Sequence, residues 1–305
     1  MESQNSSADC IDIWAQCCIG AAHVWGIRAV GLNDLYLTAL AGMSRQAAER
    51  AIRARVQTAY LGDKLILARI LGRPKIFLST DDLGFACHLM LDGYWEIWLT
   101  QFFARVVKPG MTVIDVGANF GYYTVLFGEA VGHAGRVIAI EPVPSTAMLL
   151  RKTIDLNGLI RTTHVVNAAA CDRDDAELHI VVPPGEPKNA AIVATPREGS
   201  IAVPSVTIDR LTRDLDRLDL VKIDAEGAEM AILAGMKETI ARFRPRILLE
   251  FNAARYPVPD AFLAEIERSY PRVQSLNFNG NLDHVTRDVL LDTRFGEDWL
   301  LYLEP

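Results

Sequence analysis

The 305-residue chain carries 31 basic and 38 acidic side chains, a formal charge of −7, and 50% of its residues are apolar. That balance describes a globular protein with a sizeable core, and it leaves no net basic surface to gather phosphates, which argues against a nucleic-acid partner. The five cysteines are odd in number and form no C-x-x-C pair, so neither a disulfide framework nor a zinc site is expected, and a reducing cytoplasm is the expected compartment.

Over residues 9–26, Ile11, Trp14, Cys18, Ala21, Ala22 and Trp25 recur at helical steps and predict an amphipathic helix. Asp12, His23 and Arg28 interrupt the apolar stretch from Cys10 to Leu32 with charge or polarity, so no membrane span is expected. Asn33-Asp34 reads as the start of a second helix, and Ser44 as the cap of a third that runs through Thr58. Residues 1–60 thus form a helical N-terminal extension, expected to act as a lid or to carry a homodimer surface, and residues 61–305 form the main domain. Lys75 to Leu78 predicts a short strand, and Gly93 to Val107 a helix that carries Trp95, Glu96, Phe102 and Phe103.

From Met111 the pattern alternates regularly. Apolar runs at about 112–116, 136–140, 163–168, 219–223, 246–251, 272–277 and 299–303 predict seven strands. Helices are predicted at about 121–131, 145–157, 226–241 and 259–269, the third interrupted near Gly235. The rhythm breaks at Leu178–Val182 and Ile201–Val203, read as antiparallel strands around a proline-rich loop over 183–200, either a substrate-facing element or a surface insertion. The expected class is α/β: a Rossmann-like, mostly parallel seven-stranded sheet whose crevice opens at the carboxyl ends of strands one, two and four.

The chemistry concentrates at the first of these strand ends. Val113 to Val116 is followed by Gly117 and Gly121 and then by a helix, the opening of a nucleotide-binding unit. The spacing is D-x-G-x-x-x-G rather than G-x-G-x-x-G. Asp115, just before the loop, would oppose a pyrophosphate and favour a ligand bearing a sulfonium or ammonium group. Glu141, at the end of the second strand, suits ribose hydroxyls. Both features fit S-adenosylmethionine better than NAD.

These residues also carry a family resemblance. Gly93-Tyr94-Trp95-Glu96, Ile114 to Tyr123, Ile140-Glu141-Pro142, Asn167-Ala168-Ala169, Val221 to Glu229 and Ile247 to Glu250 resemble, in order, the FkbM family of S-adenosylmethionine-dependent methyltransferases. The resemblance implies a class I methyltransferase fold, transfer of a methyl group to oxygen, and a cofactor lying near Glu96. Cofactor contacts are expected from Glu96, Asp115, Gly117, Ala118, Asn119, Gly121, Tyr122, Glu141, Pro142, Asn167, Ala168 and Asp224. Many relatives place an acid after strand three for the adenine, where this chain has Ala168-Ala169-Ala170.

Asp224, Glu226 and Glu250 come at the ends of neighbouring strands and are the expected catalytic acids; Glu229 meets the same positional test. One of them would serve as general base, the favoured reading, or together they would hold a divalent ion. The expected acceptor is a small or medium hydroxylated metabolite such as a sugar, a glycolipid head group or a polyketide-like molecule. The rivals are a nicotinamide-dependent oxidoreductase and a degenerate methyltransferase fold serving as a binding module. Removal of residues 1–57 is expected to spare cofactor binding and to abolish methylation or dimerisation.

Overall fold

The computed structural model describes residues 34–193 and 195–305. Trp14, Trp25 and the helix expected over 9–26 lie outside the described residues. Leu35 to Pro305 is one compact unit.

It begins with two short helices, Leu37–Gly42 and Arg45–Arg53. Ser44 caps the second as expected, its hydroxyl accepting from the Ala47 N–H at 3.3 Å. That helix stops at Arg53 rather than reaching Thr58, because Thr58 already pairs with Ala68 in a hairpin. Three strands, β1 (Thr58–Gly62), β2 (Leu65–Arg69) and β3 (Lys75–Ser79), form this small antiparallel sheet. Leu40 and Ile52 are fully buried in the core cluster that also holds Val113 and Phe127. Cutting after residue 57 would therefore remove core side chains, at about 2–5 kcal/mol for each large one. Such a truncation is therefore expected to destabilise the main domain, and with it the cofactor binding it was expected to spare.

The main sheet takes up β4 (Thr112–Val116), β5 (Arg136–Ile140) and β6 (Thr163–Val166) on one side. A second sheet of β7 (Ala169–Ala170), β8 (Glu177–Val181), β9 (Ala191–Val193) and β10 (Ser200–Val206) follows, in the order β7-β10-β8-β9. The chain then returns through β11 (Leu220–Ile223), β12 (Arg246–Phe251), β13 (Arg272–Leu276), β14 (Leu282–His284) and β15 (Trp299–Glu304). The order is β14-β13-β15-β12-β11-β4-β5-β6: the seven expected strands plus β14 at one edge. β6, β5, β4, β11 and β12 run parallel, and β15 lies antiparallel between β12 and β13.

Alternation along each strand divides two cores across this sheet. Val113, Val137 and Leu248 pack on one side with the N-terminal helices; Ile114, Ile138, Ile247 and Leu249 pack on the other with the helix Pro259–Ser269. The chain winds outward from β4 to β6 and resumes on the opposite side of β4, so the strand order reverses between β4 and β11. In open α/β sheets a ligand crevice forms at such a reversal, outside the carboxyl ends of the strands. Among the described residues, no helix is long and apolar enough to cross a membrane.

Candidate active site

The loops after β4 and β11 touch at that reversal. A Cβ on Gly117 would come 1.9 Å from the Asp224 carbonyl oxygen, and the glycine has φ +73°, so this position admits no side chain. A cavity opens above the contact. Its floor and walls include Gly117, Ala118, Asn119, Tyr122, Glu141, Pro142, Asp224, Glu226 and Glu250, with Glu96 on one side. Pro187, Lys188, Ala190 and Ile192 close it from the 183–200 loop, which favours the substrate-facing reading of that segment over a surface insertion. Phe85, Trp95 and Tyr123 supply an aromatic wall.

Not every expected cofactor residue reaches the cavity. Asp115 is fully buried behind it, because the register of the parallel strands sets Lys222 directly opposite and turns both side chains to the same face. Thr124 donates to Asp115 Oδ2 at 2.6 Å, and Lys222 Nζ lies 3.5 Å from Oδ1, which accepts no hydrogen bond. The acid opposing a phosphate is thus neutralised within the sheet and does not line the cavity. Gly121 serves the helix Tyr122–Val131: with φ +101° it precedes the first turn, and a Cβ would meet Leu150 at 2.5 Å. Asn167 donates from Nδ2 to the carbonyls of Glu141 and Pro142 at 2.8 and 2.9 Å and so fastens the loop after β5. Asn167 and Ala168 stand behind the lining, while Ala169 and Ala170 form it.

Glu141 is built as an acceptor. Its carboxylate takes the N–H of Asn119 and of Val143, each at 2.9 Å. Burial pushes the group up to about 7, opposed by those two N–H donors. One lone pair on each oxygen remains for a further donor, as ribose hydroxyls require. Glu96 accepts the Tyr123 hydroxyl at 2.7 Å and is likewise pushed up by burial to about 7. It precedes the helix Ile97–Val106 with φ +38° rather than sitting within a helix begun at Gly93.

The three expected acids converge. One oxygen from each of Asp224, Glu226 and Glu250 lies within 4.8 Å of the others. Glu226, expected inside a helix, instead has φ +50° in a turn with Gly227, and the helix begins at Glu229. Glu229 turns away from the cavity. It accepts the Ala225 and Gly227 N–H groups at 2.9 and 3.3 Å and the Tyr256 hydroxyl at 2.9 Å, bracing the turn that holds Glu226. Burial, then the charge on Asp224, push Glu250 up to about 8, with Arg255 opposing both. A carboxyl so poised exchanges its proton around that pH rather than in the ordinary carboxylate range.

Besides Lys188 in the covering loop, Lys222 and Arg255 bring positive charge to these acids, and neither was among the expected site residues. Lys222 Nζ lies 3.3 Å from Asp224 and 3.5 Å from Asp115. Burial works against its charge, but Asp224, Asp115 and Glu96 outweigh that and raise its pKa above the ordinary lysine value. Arg255, just after β12, bonds Glu250 and Glu226. A lysine inside the apolar run Leu220 to Ile223 is a legible anomaly, whereas nothing local marks Arg255.

The arrangement fits S-adenosylmethionine: a glycine loop pressed against the neighbouring strand end, a buried carboxylate with free lone pairs, and Ala169 and Ala170 making room at the third strand. The profile of the Methyltransferase FkbM domain matches residues 115–277. Methyltransferase 1 of Beauveria bassiana is 25% identical over 150 residues, 41% of this chain and 58% of that protein. Protein-L-isoaspartate O-methyltransferase 1 of Arabidopsis thaliana is 40% identical over 55 residues, 18% of this chain and 24% of that protein. The chain therefore spans between about a quarter and three-fifths of the length of these curated relatives. The crystal structure of methyltransferase FkbM from Methylobacillus flagellatus KT shares 18% identity, with 68% of this chain and 54% of that one covered and a TM-score of 0.41. With the domain match extending over more than half of its residues, the chain belongs to the FkbM methyltransferase family and has a class I methyltransferase fold.

Proposed function

We propose that the chain transfers a methyl group from S-adenosylmethionine to a hydroxyl oxygen of a small or medium polar metabolite. The observation that carries this reading is the meeting of Asp224, Glu226 and Glu250 in the same cavity as Glu141 and the Gly117 loop. When bound, the cofactor supplies the activated methyl carbon. The protein must then bind it, align the acceptor and take up the hydroxyl proton.

Glu141, with Asn119 and Gly117, holds the nucleoside end in this scheme, and Glu96 stands on the wall beside it. Glu250 accepts the hydroxyl proton at its carboxylate. Asp224 and Glu226 orient the acceptor by accepting from its other hydroxyls, which favours a polyol over a simple alcohol. Ile192, Ala190 and Pro187 cover the cavity and limit the water that reaches the reacting centre.

Calorimetric titration with S-adenosylhomocysteine tests the reading. Binding in the micromolar range is expected, about −8 kcal/mol. Glu141→Ala should weaken it by about 1.5–3 kcal/mol, the worth of hydrogen bonds to a charged group. A folded protein that shows no heat at millimolar ligand would sink the proposal. Transfer of tritium from labelled S-adenosylmethionine to a panel of sugars and other polyols then identifies the acceptor.

A further inference from the structure

Arg255 closes the single-turn segment Ala253–Arg255 after β12, and its guanidinium meets carboxylates from three separate parts of the chain. Nη1 donates to Glu250 at 2.5 Å, while Nη2 lies 3.3 Å from Glu226 and 3.0 Å from Asp298. Asp298 is itself held by Asn252 Nδ2 at 2.8 Å, so the fork is anchored from the outer side as well. Asp224, Glu226 and Glu250 have the mutual reach that oxygen ligands of a divalent ion need. Two of the three, however, already turn an oxygen to a planar cation that cannot be deprotonated. An incoming ion would have to displace that fork or share both carboxylates with it.

We propose that Arg255 is the resident cation of the acceptor site, standing where a divalent ion would otherwise be held and fixing Glu226 and Glu250 toward the cavity. The inference rests on the methyltransferase reading above and makes that chemistry metal-independent. Arg255 acts through the acids, so it is a positioning residue. Glu250 faces Asp224 and Glu226 as well as Arg255, and Lys188 in the covering loop acts on Glu226 from across the cavity.

The test uses the full chain and Mn²⁺ as probe, with free ion read by electron paramagnetic resonance. Wild type and Arg255→Lys should bind Mn²⁺ weakly. Arg255→Gln, which keeps the polar chain and loses the charge, should bind at least about tenfold more tightly, and adding Glu250→Gln should remove the gain. In parallel, carbon-13 titration of labelled glutamate, with Glu250→Gln identifying the resonance, should place Glu250 at higher pH in Arg255→Gln and near its original position in Arg255→Lys. Tight Mn²⁺ binding by wild type that depends on Glu250 overturns the proposal, and that measurement needs no Arg255 variant to fold. So does an Arg255→Gln protein in which neither Mn²⁺ affinity nor the Glu250 titration moves. S-adenosylhomocysteine calorimetry on the same samples separates the two claims: a wild type that binds both ligands sinks only this inference.

Discussion

Lys222→Met should cost the fold about 3–5 kcal/mol, the usual loss when one partner of a buried ion pair is removed. Lys222 is only 2% exposed and stands across the β4–β11 register from Asp115, which is fully buried. Methionine fills the same slot on the strand, so the expected loss is electrostatic rather than a cavity. Asp115 would be left with Thr124 as its side-chain donor and would have to take up a proton to remain buried. The sign with pH follows from that. Burial already raises the Asp115 carboxyl, opposed by Lys222, and losing the lysine raises it further. The folded variant then holds a proton that the unfolded chain has released, so its stability should fall as pH rises from about 5 to 8. Urea denaturation at the two pH values, followed by far-ultraviolet circular dichroism, measures both effects. Adding Asp115→Asn should recover much of the loss, because a neutral amide needs no counter-charge. A Lys222→Met protein as stable as wild type at pH 8 would show that the pair contributes nothing.

Glu250→Gln should reduce methyl transfer by about 10²–10⁴-fold, the range typical of a lost general base, while S-adenosylhomocysteine affinity stays unchanged. Glutamine keeps the volume and an oxygen for Arg255 but cannot accept a proton. In the wild type the rate should rise with pH through about 8, where burial and Asp224 place the Glu250 carboxyl. A base works only when ionised, so activity is lost as pH falls through that value. The variant's residual rate should show no such limb. Tritium transfer between pH 6 and 9.5, with cofactor binding measured alongside, separates this from a binding defect. An unchanged rate would move the proton-accepting role to Asp224 or Glu226.

Most of the sheet was legible because its strands are short apolar runs between breakers, and a strand covered on both faces needs nothing more than that. Arg246–Phe251 and the helix Pro259–Ser269 lie where the pattern places them. The errors fall where backbone conformation overrides side-chain preference. Glu226 and Glu229 read as the first turn of a helix, yet Gly227 at φ +100° makes a turn there and delays the helix to Glu229. Thr58 looked like a helix end because nothing local reveals that a hairpin partner, Ala68, claims it. The convergence of Asp224, Glu226 and Glu250 followed from strand-end positions alone. Arg255 did not, since its partners come from segments joined only by the folded sheet. The setting of Asp115 was hidden for a related reason: Lys222, the cation it meets across the sheet, became its neighbour only in three dimensions.

Glu96, Asn119 and Glu226 hold φ values of +38°, +49° and +50°, and all three line the cavity. A non-glycine residue in such a conformation carries on the order of 1–3 kcal/mol of strain, least at Asn119 because asparagine tolerates this region best, so the rim is a spring loaded chiefly at the two glutamates. Glycine at any of the three would relax the spring and remove a side chain from the cavity lining. Directed evolution for heat resistance should therefore accumulate glycines at this rim if stability alone is selected, and exclude them once turnover is selected too. The cavity's shape is held at the expense of the chain's own comfort, and a thermostable catalyst would have to find its gains in the sheet cores instead.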